Sequence, residues 1–454
     1  MEKYKLPLWA LGGLMYVLSS CLGGDDVELD EWALSNAQIA SFSLSCDSIE
    51  ALSSVKFTID QVNGLIYNKD SMAYGTNIDF KVVCSITYVI GYISGIEVHQ
   101  LATDSKAYWN GTDSLDFTND VIFYVYSYDG KKSKTYTAKL NVHQQHPDSM
   151  SWSLDSGRIP VFMPEYRKVV AFDGKYLMYA KQISGCELYE SPTSGAFNWT
   201  KATLTGFENR SITLEQMTQY GDALYVSDSE GNLYRSEDGR SWTQDATAPK
   251  ITALLGVVTE CALQSAPDRF AALINDGGVK KFAFTDGSGV WQTGETVPSN
   301  FPLTGFASHS YSEMSYSHLT LVAGTGADGA VSSKSWDTMD GLKWVCISTG
   351  LKPYFSEREG IMLTVYDDKL YLIGGIDASN QGLKDMYTST DHGVTWAVAD
   401  SLTFLPEAFT GRGYSSAVVN EDKFLLLFGG KENRLTYMND ELWRGRINRL
   451  GFKD

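Results

Sequence analysis

The chain has 454 residues, with 37 Lys and Arg against 55 Asp and Glu, for a net charge of −18. That length exceeds what one ordinary core supports, so two or more domains are expected. The acidity excludes nucleic acid as a partner, since phosphate contact needs a basic face, while 26 Tyr suit half-buried β surfaces or sugar-facing ones.

The N-terminus reads as a targeting segment over residues 1–21. Lys3 and Lys5 form a short basic region, and residues 6–17 form an apolar run too short to serve as a stable membrane span. The run ends in Leu18-Ser19-Ser20-Cys21. This order resembles the bacterial lipobox, which implies cleavage before Cys21, lipidation of its thiol and attachment to a membrane by acyl chains. Residues 22–35 are expected to be a solvated tether, with Gly23-Gly24 followed by Asp25, Asp26, Glu28, Asp30 and Glu31. An acidic run at this place resembles the export signal of Bacteroidetes surface lipoproteins, which implies an outer-membrane, surface-exposed protein.

Residues 36–146 contain short β-rich runs between polar turns and no helical period. The clearest signal is Val121 to Tyr126, then Asp129-Gly130, then Thr135 to Val142. Alternation on both sides of an Asp-Gly predicts a hairpin. About 110 residues of short strands predict a small β-sandwich. It resembles the immunoglobulin-like domains next to the lipid anchor in Bacteroidetes lipoproteins. Cys46 and Cys84 are a possible disulfide in an oxidising envelope. His143 and His146 have no third ligand nearby, so no metal is expected.

Residues 147–454 carry a repeat. Trp152, Trp199, Trp242, Trp291, Trp344, Trp396 and Trp443 follow one another at steps of 47, 43, 49, 53, 52 and 47 residues. Such a period fits four-stranded units, so an all-β fold with a β-propeller is expected. Polar turns before apolar runs keep the same phase, from Asp173-Gly174 to Asp422-Lys423, and give six blades. Ser389-Thr390-Asp391-His392-Gly393-Val394-Thr395-Trp396 matches the Asp-box pattern, in which Asp accepts turn N–H groups and Gly takes positive φ. Gly374-Gly375 with Tyr387, and Gly429-Gly430 with Trp443, resemble Kelch blades, which places Trp443 in the Tyr slot. Residues 149–154 have no inner strands of their own and are expected to supply the outer strand of the sixth blade, leaving no open edge.

The whole layout resembles an uncharacterised family of Bacteroidetes lipoproteins with an immunoglobulin-like domain and a mixed Asp-box and Kelch-like propeller. The resemblance implies fold and location and carries no activity.

Propellers bind at the mouth of the central channel. Arg358 and Arg412 each stand twelve residues before an inner apolar strand, which predicts two guanidinium groups near that mouth, either suited to a carboxylate or sulfate or bonded to blade carbonyls and acidic side chains. Arg158-Ile159-Pro160 before the first blade resembles the sialidases, which implies a triad of Arg158, Arg358 and Arg412 with a Tyr nucleophile assisted by Glu. No serine-hydrolase, zinc-protease or phosphate-loop motif occurs, and no cofactor is implied. The expectation is a non-catalytic binder of a glycan, glycoprotein or protein. The alternatives are a sialidase-like glycoside hydrolase and a scaffold subunit of an outer-membrane complex.

Overall fold

A computed structural model describes residues 31–451 apart from 91, 156–158, 162, 184, 208–209, 262–265, 314, 349 and 351. The fold is all-β, and the chain divides into two compact units, residues 1–146 and 147–454. Cys21 and most of the expected tether lie outside the described residues.

The first unit contains a three-stranded sheet and a six-stranded sheet. The expected hairpin forms from Val121–Ser127 and Ser133–Lys139. Alternation decides its faces. Val121, Phe123 and Val125 are fully buried, and Phe123 meets Phe42 edge to face. Asp129 fixes the turn by accepting Lys131 N–H at 3.0 Å, and Gly130 takes φ +68. Leu65–Asn68 pairs with Ser133–Lys139 in parallel, so the larger sheet is mixed. Cys46 and Cys84 are free thiols.

Among the described residues, the second unit holds six antiparallel sheets of four strands, one with an additional short strand, and a two-stranded sheet of Pro302–Thr304 and Thr325–Gly326. The second strand of each of the six is its apolar centre, as in Lys175–Gln182, Arg269–Asp276, Lys369–Asp377 and Leu425–Phe428. Their side chains are buried on both faces because neighbouring sheets pack against each side. Met150–Leu154 pairs antiparallel with Leu442–Ile447, so the first strand of this unit completes the last sheet. Trp152 packs over Gly445 there, where a Cβ would stand 2.6 Å from the indole.

The tryptophan period has a common structural origin. Trp199, Trp242, Trp344 and Trp396 each immediately precede the outer strand of a sheet, and Trp291 begins one. Trp443 instead faces Leu427 as Tyr387 faces Leu372, so it holds the Tyr position of its sheet. The turn before Trp396 forms as its chemistry requires. Asp391 accepts Thr395 N–H at 2.9 Å and Ser389 Oγ–H at 2.7 Å, Gly393 takes φ +99, and the Trp396 indole donates to Gly393 O at 3.1 Å. Asp238 accepts Arg240 and Ser241 N–H in the same way.

Candidate functional site in the central channel

The first strands of all six sheets of the second unit line one cavity of about 190 Å³. Its wall includes Tyr166 and Lys168 from the first sheet, Glu215 and Gln216 ahead of the second, Gly305 and Ser308 at the fourth, Gly360 at the fifth and Tyr414 at the sixth. The volume exceeds the roughly 150 Å³ that holds a benzene ring. It therefore suits a ligand of about one ring, or the end of a longer chain.

Local geometry explains why these side chains reach the channel. In Tyr166–Phe172, Tyr166, Lys168 and Val169 reach the cavity, while Arg167 is buried and Tyr166 and Val169 also pack against separate clusters between sheets. Lys168 Nζ donates to the Glu215 carbonyl at 3.3 Å. The surface both residues retain faces the cavity. Gln216 is structural: its amide donates to Leu303 O at 2.9 Å and accepts Leu254 N–H at 3.1 Å, tying the turn ahead of the second sheet to two other strands. Tyr414 has φ +59, and its ring lies against Gly360, where a Cβ would stand 2.6 Å away. Only glycine leaves room for the ring. Tyr166 meets Tyr414 edge to face at 5.9 Å.

The electrostatics follow from enclosure. Burial pushes the Glu215 carboxyl above the usual range, against the pull of Lys168 and a hydrogen bond from Gly305 N–H. Burial lowers Lys168, which Glu215 partly restores. Burial also raises the Tyr166 and Tyr414 phenols, and nearby carboxylates add to it. The Glu359 carboxylate near Tyr414 adds to the rise of its phenol, and Arg434 and Thr325 hold that carboxylate. The site is thus an acid, an amine and two phenols, all biased toward their neutral forms except where a partner intervenes.

Arg358 and Arg412 do not belong to this site, which corrects the expectation from blade equivalence. Neither lines the cavity, and they are 0% and 1% exposed. Arg358 places all five N–H donors inside its own sheet. Nε donates to Ser356 O, Nη1 to Gly374 O and Asp385 Oδ1, and Nη2 to Ser356 Oγ and Asp385 Oδ2. Arg412 follows the same pattern in part, with Nε on Thr410 O, Nη2 on Glu441 and its guanidinium 4.3 Å over the Phe409 ring, while its buried Nη1 has no hydrogen-bond partner among the described residues. Arg158 lies outside the described residues. Lys168 and Glu215 were not singled out from sequence, because their spacing matches no motif and only the ring of sheets brings them together. Among the described residues, no group of three or more His, Cys, Asp or Glu is arranged to hold a metal, and no helix is long and apolar enough to cross a membrane.

No curated protein matches the chain. The solved structure titled "Structure of YjhT" aligns with a TM-score of 0.44 and 15% identity over 63% of this chain and 96% of that one, a likeness too distant to carry an argument. Residues 35–140 match the DUF6242 N-terminal domain, a domain of unknown function. Residues 146–454 match the DUF6242 beta propeller domain, so the chain belongs to the DUF6242 family and its second unit is a β-propeller.

Proposed function

We propose that this chain is a surface binding protein: lipid on Cys21 holds it to an outer membrane, an immunoglobulin-like unit follows the tether, and a six-bladed propeller of mixed Asp-box and Kelch-like character takes a glycan or glycoprotein terminus in its channel without covalent chemistry. The channel carries this reading. It is sized for about one ring, aromatic at Tyr166 and Tyr414, and equipped with the Lys168 ammonium, which donates to the Glu215 carbonyl at 3.3 Å. Sugar rings offer the matching surfaces, apolar C–H faces for the phenols and hydroxyls for the amine and acid.

A sialidase-like hydrolase is the second reading, because Tyr414 at the channel wall has the Glu359 carboxylate, buried behind the wall, near it. Two observations count against it. The Tyr414 phenol is held neutral by burial, the opposite of nucleophile activation, and Arg358 and Arg412 are committed to their own sheets.

Screening the protein against host and plant glycans, scoring retention and product release together, tests both. Retention without product is expected. Lys168→Met, which removes a charged hydrogen-bond donor, is expected to weaken retention about 10- to 100-fold. Product release would favour the hydrolase. Retention unchanged in Lys168→Met would remove the channel from the proposal, and absence of any retention would leave a protein partner of an outer-membrane complex as the reading to pursue.

A further inference from the structure

The six-stranded sheet of the first unit has one face on the core and one on solvent, and the solvent face is lined with tyrosine. Along Val121–Ser127 the outward positions are Ile122, Tyr124 and Tyr126, and Tyr128 continues the alternation beyond the strand. Positions two apart repeat at about 6.8 Å, so the three phenols span roughly 14 Å. Register supplies the neighbours. Glu97 pairs with Tyr124 on one side and with Tyr108 on the other, placing all three in one row. Gly95 pairs with Tyr126, and the Tyr108 ring lies beside that bare glycine, 3.6 Å from where a Cβ would stand. Tyr108 and Tyr126 are 6.4 Å apart, and Tyr92 and Tyr128 are 6.1 Å apart. Tyr108 is 73% exposed, and Tyr92 and Tyr128 are 56% exposed.

Large aromatic side chains gathered on a solvent face mark a binding surface, and the groups between them identify its occupant. An interface with a protein or a second copy has a core depleted of charge. Here polar groups stand among the rings. Tyr126 donates to Glu97 at 3.2 Å, and Lys106 pairs with Glu97 at 3.1 Å while lying 4.5 Å over the Tyr124 ring. Ser133 and Thr135 occupy the same rows through their pairing with Tyr126 and Tyr124. Apolar ring faces therefore alternate with hydrogen-bonding groups, which is also the composition of a pyranose. The ion pair is internally compensated, so the face favours an uncharged chain. We propose that this tyrosine face binds a neutral polysaccharide over several sugar units, as a site separate from the propeller channel.

Native electrophoresis of the whole chain through gels containing xyloglucan, galactomannan or mixed-linkage β-glucan tests this. At least one polysaccharide is expected to retard the chain. The double variant Tyr108→Ala/Tyr126→Ala should lose affinity ten-fold or more, as should the single Tyr108→Ala at the most exposed ring. Tyr108→Phe should keep most of the affinity. The proposal is overturned if none of the three polysaccharides retards the chain, if the double variant is retarded equally, or if Lys168→Met removes the effect. It is also overturned if sedimentation shows self-association that the double variant abolishes, since the face would then join two copies of the chain. Channel binding in the glycan screen survives these outcomes independently.

Discussion

Arg358 and Glu215 show how differently an internal charge can be used. Arg358 has no free donor and bonds both to carbonyls of its own sheet and to Asp385. Asp385 is 41% exposed and stays solvated without its partner, so the cost of removing Arg358 comes from the buried carbonyls left unpaired, about 1–3 kcal/mol. Arg358→Ala is therefore expected to lower the propeller's stability by about that amount in denaturant titrations, and Arg358→Lys should not restore it, since an ammonium cannot reproduce the fork. Loss of binding in Arg358→Ala would report unfolding and not ligand contact. Glu215 faces the channel with its carboxyl raised by burial. A carboxyl raised on folding binds its proton more tightly in the native state, so its stabilising contribution is complete below the unfolded value near pH 4 and is lost as pH rises through the folded value. Glu215→Gln, which mimics the neutral acid, should melt higher than the parent at pH 7 and equally at pH 4. A parent that melts higher at pH 7 would show that the Lys168 interaction outweighs burial.

At the scale of elements, the strand Met150–Leu154 matters because it comes from the opposite end of its unit and covers an edge that Leu442–Ile447 would otherwise expose. Trp152 fits over Gly445, where no side chain can be accommodated without moving the indole. Gly445→Val should overpack this contact and destabilise by about 1–3 kcal/mol, read as a lower midpoint with an unchanged denaturant slope. An unaffected midpoint would mean that the strand pairing is not needed for stability. The sheets also show where sequence was sufficient. The Asp391 turn, the hairpin at Asp129 and the Tyr position of Trp443 were legible because each depends on residues close in sequence, a short acceptor, a positive-φ glycine and a fixed aromatic spacing. Of the two readings open for Arg358 and Arg412, their hydrogen bonds match the one in which they bond to blade carbonyls and carboxylates. Counting from the inner strand identified equivalent positions correctly, and both arginines do share one geometry. Counting could not tell that Asp385 and Glu441, 27 and 29 residues further on, would draw the guanidinium groups into the sheets.

Across the molecule, the two units have separate hydrophobic cores, one built from residues between Ala37 and Val142 and the others from residues beyond Met150. Separate cores predict separate cooperative transitions. Calorimetry of the whole chain should resolve two, with Gly445→Val moving only the one that belongs to the propeller. A single transition that shifts as a whole would mean the units stabilise each other. The sequence by itself determined the all-β class, the repeating units and the turn chemistry, because periodicity and local hydrogen bonding are written in neighbouring residues, and counting repeats added the pairing of Met150–Leu154 with the last sheet. Only the tertiary structure decided which side chains meet in the channel. Lys168, Glu215, Gly360 and Tyr414 are up to 246 residues apart and share no spacing rule. They converge because six first strands surround one cavity, and a ring of sheets sets distances across its centre that no stretch of chain encodes alone.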